Sequence, residues 1–128
     1  MPAMRISDLA RSGGVGIETV RFYQRKGLLA APGRGATGGR HYGPEDARRL
    51  RFVRRAQAAG FTLAQIGELI DLDRSDDRLR ARVMARERID ALDAEIARLE
   101  EARRSLGKLA RDCAKGGAGP CPILSAFD

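Results

Sequence analysis

Residues 6–29 read ISDLARSGGVGIETVRFYQRKGLL, two short helical stretches separated by a glycine turn. Ser7 is a good N-cap, Asp8 follows where the helix dipole favours an anion, and Leu9 and Ala10 give a short apolar face. Gly13-Gly14 ends this helix. A second helix is expected over Ile17 to Lys26, with Ile17 and Val20 inward, Phe22 a further inward candidate, and Gly27 as its stop. Two short helices joined this way form a helix-turn-helix, whose second helix ordinarily reads a duplex.

The neighbouring segments fit around that pair. Leu28–Tyr42 is dense in Gly and Pro, which predicts turns and a small β-ribbon carrying Arg34, Arg40 and His41. A basic hairpin directly after a helix-turn-helix is a wing. Pro44-Glu45-Asp46 opens a third helix that runs through Ala47, Leu50, Phe52, Val53 and Ala56 to Gly60. Thr62 caps a fourth, with Leu63, Ile66, Leu69 and Ile70 at helical spacing.

From about Asp76 to Asp112 there is no Pro, and Gly107 is the only Gly. Ala85, Ile89, Leu92, Ile96, Leu99, Leu106 and Ala110 recur at alternating steps of three and four, broken only by Arg103. That is a heptad seam flanked by Glu and Arg. A rod of this length cannot fold back on so small a domain, so a dimer, parallel or antiparallel, is the economical arrangement. The tail, Cys113-Ala-Lys-Gly-Gly-Ala-Gly-Pro-Cys121-Pro-Ile-Leu, is a Gly- and Pro-rich loop closing on Ile123, Leu124 and Phe127.

Composition narrows the partners. The formal charge is +7, which favours a polyanion because neutralised phosphates release their counterions. Lys26, Lys108 and Lys115 are the only lysines; the remaining basic charge is Arg, suited to planar phosphate and base-edge contacts. No stretch approaches a membrane span, and the N-terminus lacks the apolar run of a signal peptide. The chain therefore reads as cytoplasmic, without membrane contact, and its two cysteines as thiols or metal ligands. No nucleophile–His set or phosphate-cradling motif suggests an enzyme; His41, the only His, is far from both cysteines and reads as a surface residue of the wing.

Several strings in order resemble the MerR family of bacterial transcription regulators. They are Ile6-Ser7-Asp8-Leu9-Ala10, Thr19-Val20-Arg21-Phe22-Tyr23, Lys26-Gly27-Leu28-Leu29, Gly39-Arg40-His41-Tyr42, Leu50-Arg51-Phe52-Val53 and Ala59-Gly60-Phe61-Thr62-Leu63. The resemblance implies a mostly α fold: a winged helix-turn-helix DNA-binding region with connecting helices (4–74), a long antiparallel coiled-coil dimerisation helix (75–112) and a short effector-binding loop and tail (113–128). It implies a homodimer on promoter double-stranded DNA that distorts the promoter for RNA polymerase when an effector binds. Thr19, Arg21 and Tyr23 on the reading helix, with Arg34, Arg40 and Tyr42 in the wing region, are then expected to face DNA. Arg55 and Gln57 on the third helix are further candidates for backbone contact.

The effector is read from the tail. Two thiolates joined by a short loop can hold a soft d¹⁰ ion linearly, as Cu(I), Ag(I), Au(I) or Hg(II) accept, whereas Zn(II) ordinarily takes four ligands. Cys113-x7-Cys121-Pro-Ile resembles the metal loop of the family's copper-efflux branch, and Cys-Pro-Ile-Leu is similar to the mercury branch. Divalent-ion sensors of the family take a third cysteine from the start of the partner's dimerisation helix, at the position where Arg78 stands here. Arg78 would be a charge partner of the loop and would disfavour a divalent ion, so a monovalent coinage metal is expected ahead of Hg(II). Thiol-redox or electrophile sensing by the same cysteines, and an architectural DNA-binding protein with idle cysteines, remain alternatives. The iron–sulfur variant needs four cysteines, and the drug-binding branch a larger C-terminal domain.

Overall fold

The computed structural model describes residues 4–30, 33–34 and 40–127. The elements are α1 (Ile6–Ser12), α2 (Ile17–Arg25), β1 (Gly33–Arg34), β2 (Arg40–His41), α3 (Pro44–Ala58), α4 (Leu63–Ser75), α5 (Arg78–Ala114) and α6 (Pro122–Ser125). They fall into two compact units, Met1–Met84 and Ala85–Asp128, with the division inside α5. The division read from sequence followed the elements instead, at 74/75.

The core of the first unit is built from every element of the helix-turn-helix and from α3 and α4. Leu9, Val20, Leu50, Val53 and Ile66 are its fully buried side chains. Leu50 and Val53, with Ala47 and Ala56, make a stripe at three-residue spacing along α3. Phe52, also on α3, is 41% exposed, because it lies beside the buried face rather than on it.

Local chemistry sets the helix ends. Gly27 closes α2 at φ 76°, a left-handed turn that suits glycine. Thr62 and Gln65 cap α4 reciprocally: the Gln65 N–H donates to Thr62 Oγ1 (3.1 Å) and the Thr62 N–H to Gln65 Oε1 (2.9 Å). At α1 the expected cap is displaced. Arg5, not Ser7, is the N-cap, and its N–H donates to Asp8 Oδ2 at 3.1 Å. The cause is a pair of backbone hydrogen bonds between Met4 and Tyr42 (3.0 and 2.9 Å), which hold the segment before the helix extended so that it starts at Ile6.

The wing is an antiparallel pair, with Gly33 opposite His41 and Arg34 opposite Arg40. Its turn, around Gly35 and Thr37-Gly38-Gly39, lies outside the described residues. Past Asp76, which ends α4 in the left-handed conformation (φ 56°), Asp77 Oδ1 accepts the Arg80 N–H at 3.2 Å and α5 begins. Glu68 of α4 ties to Arg80 of α5 at 2.8 Å, and that hydrogen bond holds the Glu68 carboxyl below its ordinary range.

In the second unit, α5 carries Ile89, Ile96, Leu99 and Leu106 along its length, all exposed. The tail is not loop throughout: Pro122–Ser125 form α6, started by Pro122 and capped by Cys121. Among the described residues no helix is long and apolar enough to cross a membrane.

Candidate nucleic-acid interface and thiol pair

On α2, Arg21 and Arg25 are exposed and share a face, being four residues apart on a helix. Arg21 makes only a loose ion pair with Glu18 (3.7 Å), so its guanidinium is readily given to another anion. Thr19 is half-buried on the same helix, and Arg55 is exposed on α3. Lys26 lies 5.7 Å over the Phe22 ring at the end of α2. Arg34 and Arg40 are paired positions of the wing ladder.

The two tyrosines are placed differently from the surface role expected of them. Tyr23 and Tyr42 are both core residues, 3% and 4% exposed. The Tyr23 hydroxyl donates to Gln57 Oε1, so Gln57 is held by a partner inside the fold. Tyr42 packs its ring inward, and its hydroxyl accepts from Gln24 Nε2 at 3.0 Å. A buried tyrosine needs such a partner for its polar end, which the spacing along α2 and β2 does not reveal.

Three residues absent from the sequence expectations join the basic surface. Arg5, Gln24 and Arg25 border one recess together with Ile6, Arg21 and Tyr42. The i, i+4 spacing of Arg21 and Arg25 was a usable signal. Arg5 carried none, since its place depends on the long-range pairing of Met4 with Tyr42.

The second cluster is the thiol pair. Cys113, in the last turn of α5, and Cys121, the cap of α6, bring their sulfurs to 3.0 Å, and both are free thiols. A disulfide would need about 2.04 Å, so these sulfurs meet through a hydrogen bond. The Cys113 thiol donates to Cys121, and with the N–H groups of Leu124 and Ile123 this holds the Cys121 thiol below its ordinary range. Cys113 is pushed up by the same hydrogen bond, then by desolvation and by the charge on Cys121.

Two adjacent soft sulfurs suit a thiophilic ion of low coordination number. Among the described residues no group of three or more His, Cys, Asp or Glu could hold a metal. An ion in line between two thiolates, about 2.3 Å from each, needs them further apart than they stand here. The connecting loop holds Gly116, Gly117 and Gly119 at φ 71°, 127° and 120°, with nothing within 4 Å of where a Cβ would stand at any of them. Arg78 is exposed and pairs with Asp76 at 3.7 Å.

Residues 4–73 match the family described as "MerR HTH family regulatory protein", and residues 47–109 a second profile described as "MerR, DNA binding". The chain is 37% identical over 123 residues to "Heavy metal-dependent transcription regulator 2" of Rhizobium meliloti (strain 1021), covering 94% of this chain and 84% of the relative. It is 36% identical over 125 residues to the "Mercuric resistance operon regulatory protein" of Serratia marcescens, covering 97% of this chain and 87% of the relative. The solved structure of the transcription regulator PbrR691 from Ralstonia metallidurans CH34 in complex with lead(II) aligns with TM-score 0.73 and 29% identity, over 98% of this chain and 99% of that one. These relatives are regulators and not enzymes, and likeness over nearly the whole length joins the helix-turn-helix, wing and long helix found here: the chain belongs to the MerR HTH family of regulatory proteins.

Proposed function

We propose that this chain is a metal-responsive transcription regulator that binds promoter DNA as a homodimer and takes a soft metal ion at Cys113 and Cys121. The observation that carries the effector reading is the thiol pair itself: two sulfurs 3.0 Å apart on a glycine-rich loop. Relatives named for mercury and heavy metals, and a neighbour solved with lead(II), support a metal as effector. The donor set narrows the choice. Two thiolates, with no group of three or more donors among the described residues, favour Cu(I), Ag(I) or Au(I), with Hg(II) the next candidate.

The chemistry of this chain's residues in that role is limited and specific. Cys121, already held toward thiolate, offers the first sulfur, and Cys113 must give up its proton to offer the second. A bis-thiolate with a monovalent ion keeps one negative charge, and the partner subunit's Arg78 is proposed to offset it, because within one chain Arg78 and Cys113 stand at opposite ends of α5. DNA is held by the basic face of the helix-turn-helix, with Thr19, Arg21, Arg34, Arg40 and Arg55 the proposed contacts. Tyr23 and Gln57 support that face from within, and the Tyr42 ring packs beneath it. Effector binding would be transmitted as bending and untwisting of the promoter, a distortion of several kcal/mol offset by contacts at both half-sites, so that RNA polymerase can engage. The protein would act in the cytoplasm, where its thiols stay reduced.

A second reading has its own observation: paired thiols, one of them held toward thiolate, also suit an oxidant or electrophile sensor. Anaerobic titration of reduced protein with Cu(I), Ag(I), Hg(II) and Zn(II) against competing chelators separates the two. Tight binding of Cu(I) or Ag(I), abolished by Cys113→Ser, is expected. Binding of Hg(II) alone would assign the chain to mercury, and failure of every ion to compete would leave the thiol-sensing reading in its place.

A further inference from the structure

The recess beside the reading helix has a composition and a geometry that point to one ligand. Its volume is about 500 Å³, and Arg5, Arg21, Arg25, Gln24, Tyr42 and Ile6 line it. Three of the six carry a guanidinium and none carries a carboxylate. Among the described residues neither Arg5 nor Arg25 is in an ion pair, and Arg21 has only the 3.7 Å contact with Glu18. Three cations gathered with only the loose Glu18 contact as counter-charge repel one another, so an anion between them is favoured on electrostatic grounds.

The recess also holds a neutral donor whose direction can be worked out. Gln24 Nε2 contacts the Ala30 carbonyl at 3.4 Å and the Tyr42 hydroxyl at 3.0 Å. A carbonyl can only accept, which fixes Nε2 as the amide end facing both groups. Tyr42 Oη therefore accepts from Gln24, and its own proton is left to donate elsewhere. The ring is 4% exposed, so the hydroxyl is held on a rigid mount. The backbone pairing of Met4 with Tyr42 brings Arg5 and Tyr42 to the same recess, and α2 supplies Arg21 and Arg25.

We infer that this recess is a clamp for a single phosphodiester of duplex DNA, made by the Arg5 and Arg25 guanidiniums and the Tyr42 hydroxyl, with Arg21 at its rim. The inference rests on the DNA-binding reading above and adds residues from three separate segments to it. Guanidiniums fork onto phosphate oxygens, and a tyrosine hydroxyl donates a further, uncharged hydrogen bond. Because Arg5 precedes α1, Tyr42 follows β2 and Arg25 ends α2, one phosphate would tie the wing and both helices together and fix the angle of the reading helix in its groove. Such a contact is independent of sequence.

The test is the salt dependence of binding to a mixed-sequence B-form duplex, measured by fluorescence anisotropy on the full chain. Arg5→Gln and Arg25→Gln are exposed substitutions, and Arg98→Gln on α5 is the control for lost charge. If both arginines hold one phosphate, either alone still neutralises it, so each single variant should weaken binding with little change in the slope of log K against log salt, and the double variant should lower the slope by about 0.9 per site. Between 50 and 200 mM salt, wild type would then lose about 3.5-fold more affinity than the double variant, for each site engaged. Tyr42→Phe should weaken binding at every salt concentration and leave the slope unchanged, since it removes a neutral donor. A double variant whose slope and affinity match wild type and Arg98→Gln would overturn the clamp while leaving DNA binding intact. Single variants that each lose a full unit of slope, with the double losing twice as much, would show two separate phosphates and overturn it as well. Absence of salt-dependent duplex binding by wild type would remove the DNA reading and the clamp together.

Discussion

The smallest unit with a function of its own is the pair of sulfurs at Cys113 and Cys121, and its asymmetry is measurable. The hydrogen bond from Cys113, followed by the N–H groups of Leu124 and Ile123, holds Cys121 toward thiolate, while Cys113 keeps its proton. The thiolate is the reactive form, so just below the ordinary thiol range (about pH 8.5) Cys121 is more reactive than a free cysteine and Cys113 less so. Iodoacetamide added to reduced, metal-free protein should therefore label Cys121 first, with Cys113 following as pH rises through that range. Peptide mass spectrometry reads the order directly, and equal rates at the two sites would refute the asymmetry. Cys113→Ala removes the donor and should raise the Cys121 pKa, slowing its alkylation near neutral pH. The spacing of two cysteines across a glycine-rich loop made the pair visible in sequence. Which thiol gives up its proton first was not visible, because it depends on where α6 begins and which N–H groups that start aims at sulfur.

At the level of elements, the helix-turn-helix is a packing problem with little slack. A Cβ built on Gly13 would stand 2.5 Å from Leu50 Cδ2 and 2.7 Å from Leu50 Cγ. Leu50 is fully buried and hemmed in by the rest of the core, so it cannot swing away. Gly13 has an ordinary φ of −98°, which makes this a purely steric demand for a bare backbone where α1 ends against α3. Gly13→Ala should destabilise the protein by about 1–3 kcal/mol, the usual range for overpacking a filled core, measured as a shift in the urea midpoint. Paired with Leu50→Ala, the loss should be less than the sum of the two singles, since the atoms that clash have gone. Strict additivity would mean that the two sites do not meet. Most helix boundaries were legible for local reasons: Thr62 with Gln65, Pro44 as a first-turn residue, and Gly27 after α2 all act within a few positions. Misplacement occurred where a segment distant in sequence intervened. Ser7 lost the cap of α1 to Arg5 because Tyr42 pairs with Met4, and Tyr23 turned inward because Gln57, on α3, receives its hydroxyl.

For the molecule as a whole, the deciding feature is an apolar seam that the chain does not cover. Helix α5 is 37 residues long, which corresponds to about 55 Å at 1.5 Å per residue. Ile89, Ile96, Leu99 and Leu106 are between 41% and 52% exposed along it. Apolar side chains repeating at three- and four-residue steps on an otherwise charged helix are what a second copy of the same helix covers. Leu99 lies within this series, and Leu99→Asp would place a carboxylate from each copy in the seam. Sedimentation should show the wild-type chain as a dimer and the variant as a monomer. Circular dichroism should show the helix-turn-helix still folded, because its core lies in the other compact unit. The consequence for DNA follows from tethering. A dimer presents two reading helices at once, so its loss should weaken duplex binding by about a hundredfold or more. With half as many phosphates neutralised per complex, the salt slope of the monomer should also fall to about half that of wild type. A variant that is monomeric yet keeps the full slope would mean that one copy alone makes every phosphate contact, and the dimeric grip would have to be abandoned. A variant that stays dimeric would move the interface off this seam altogether.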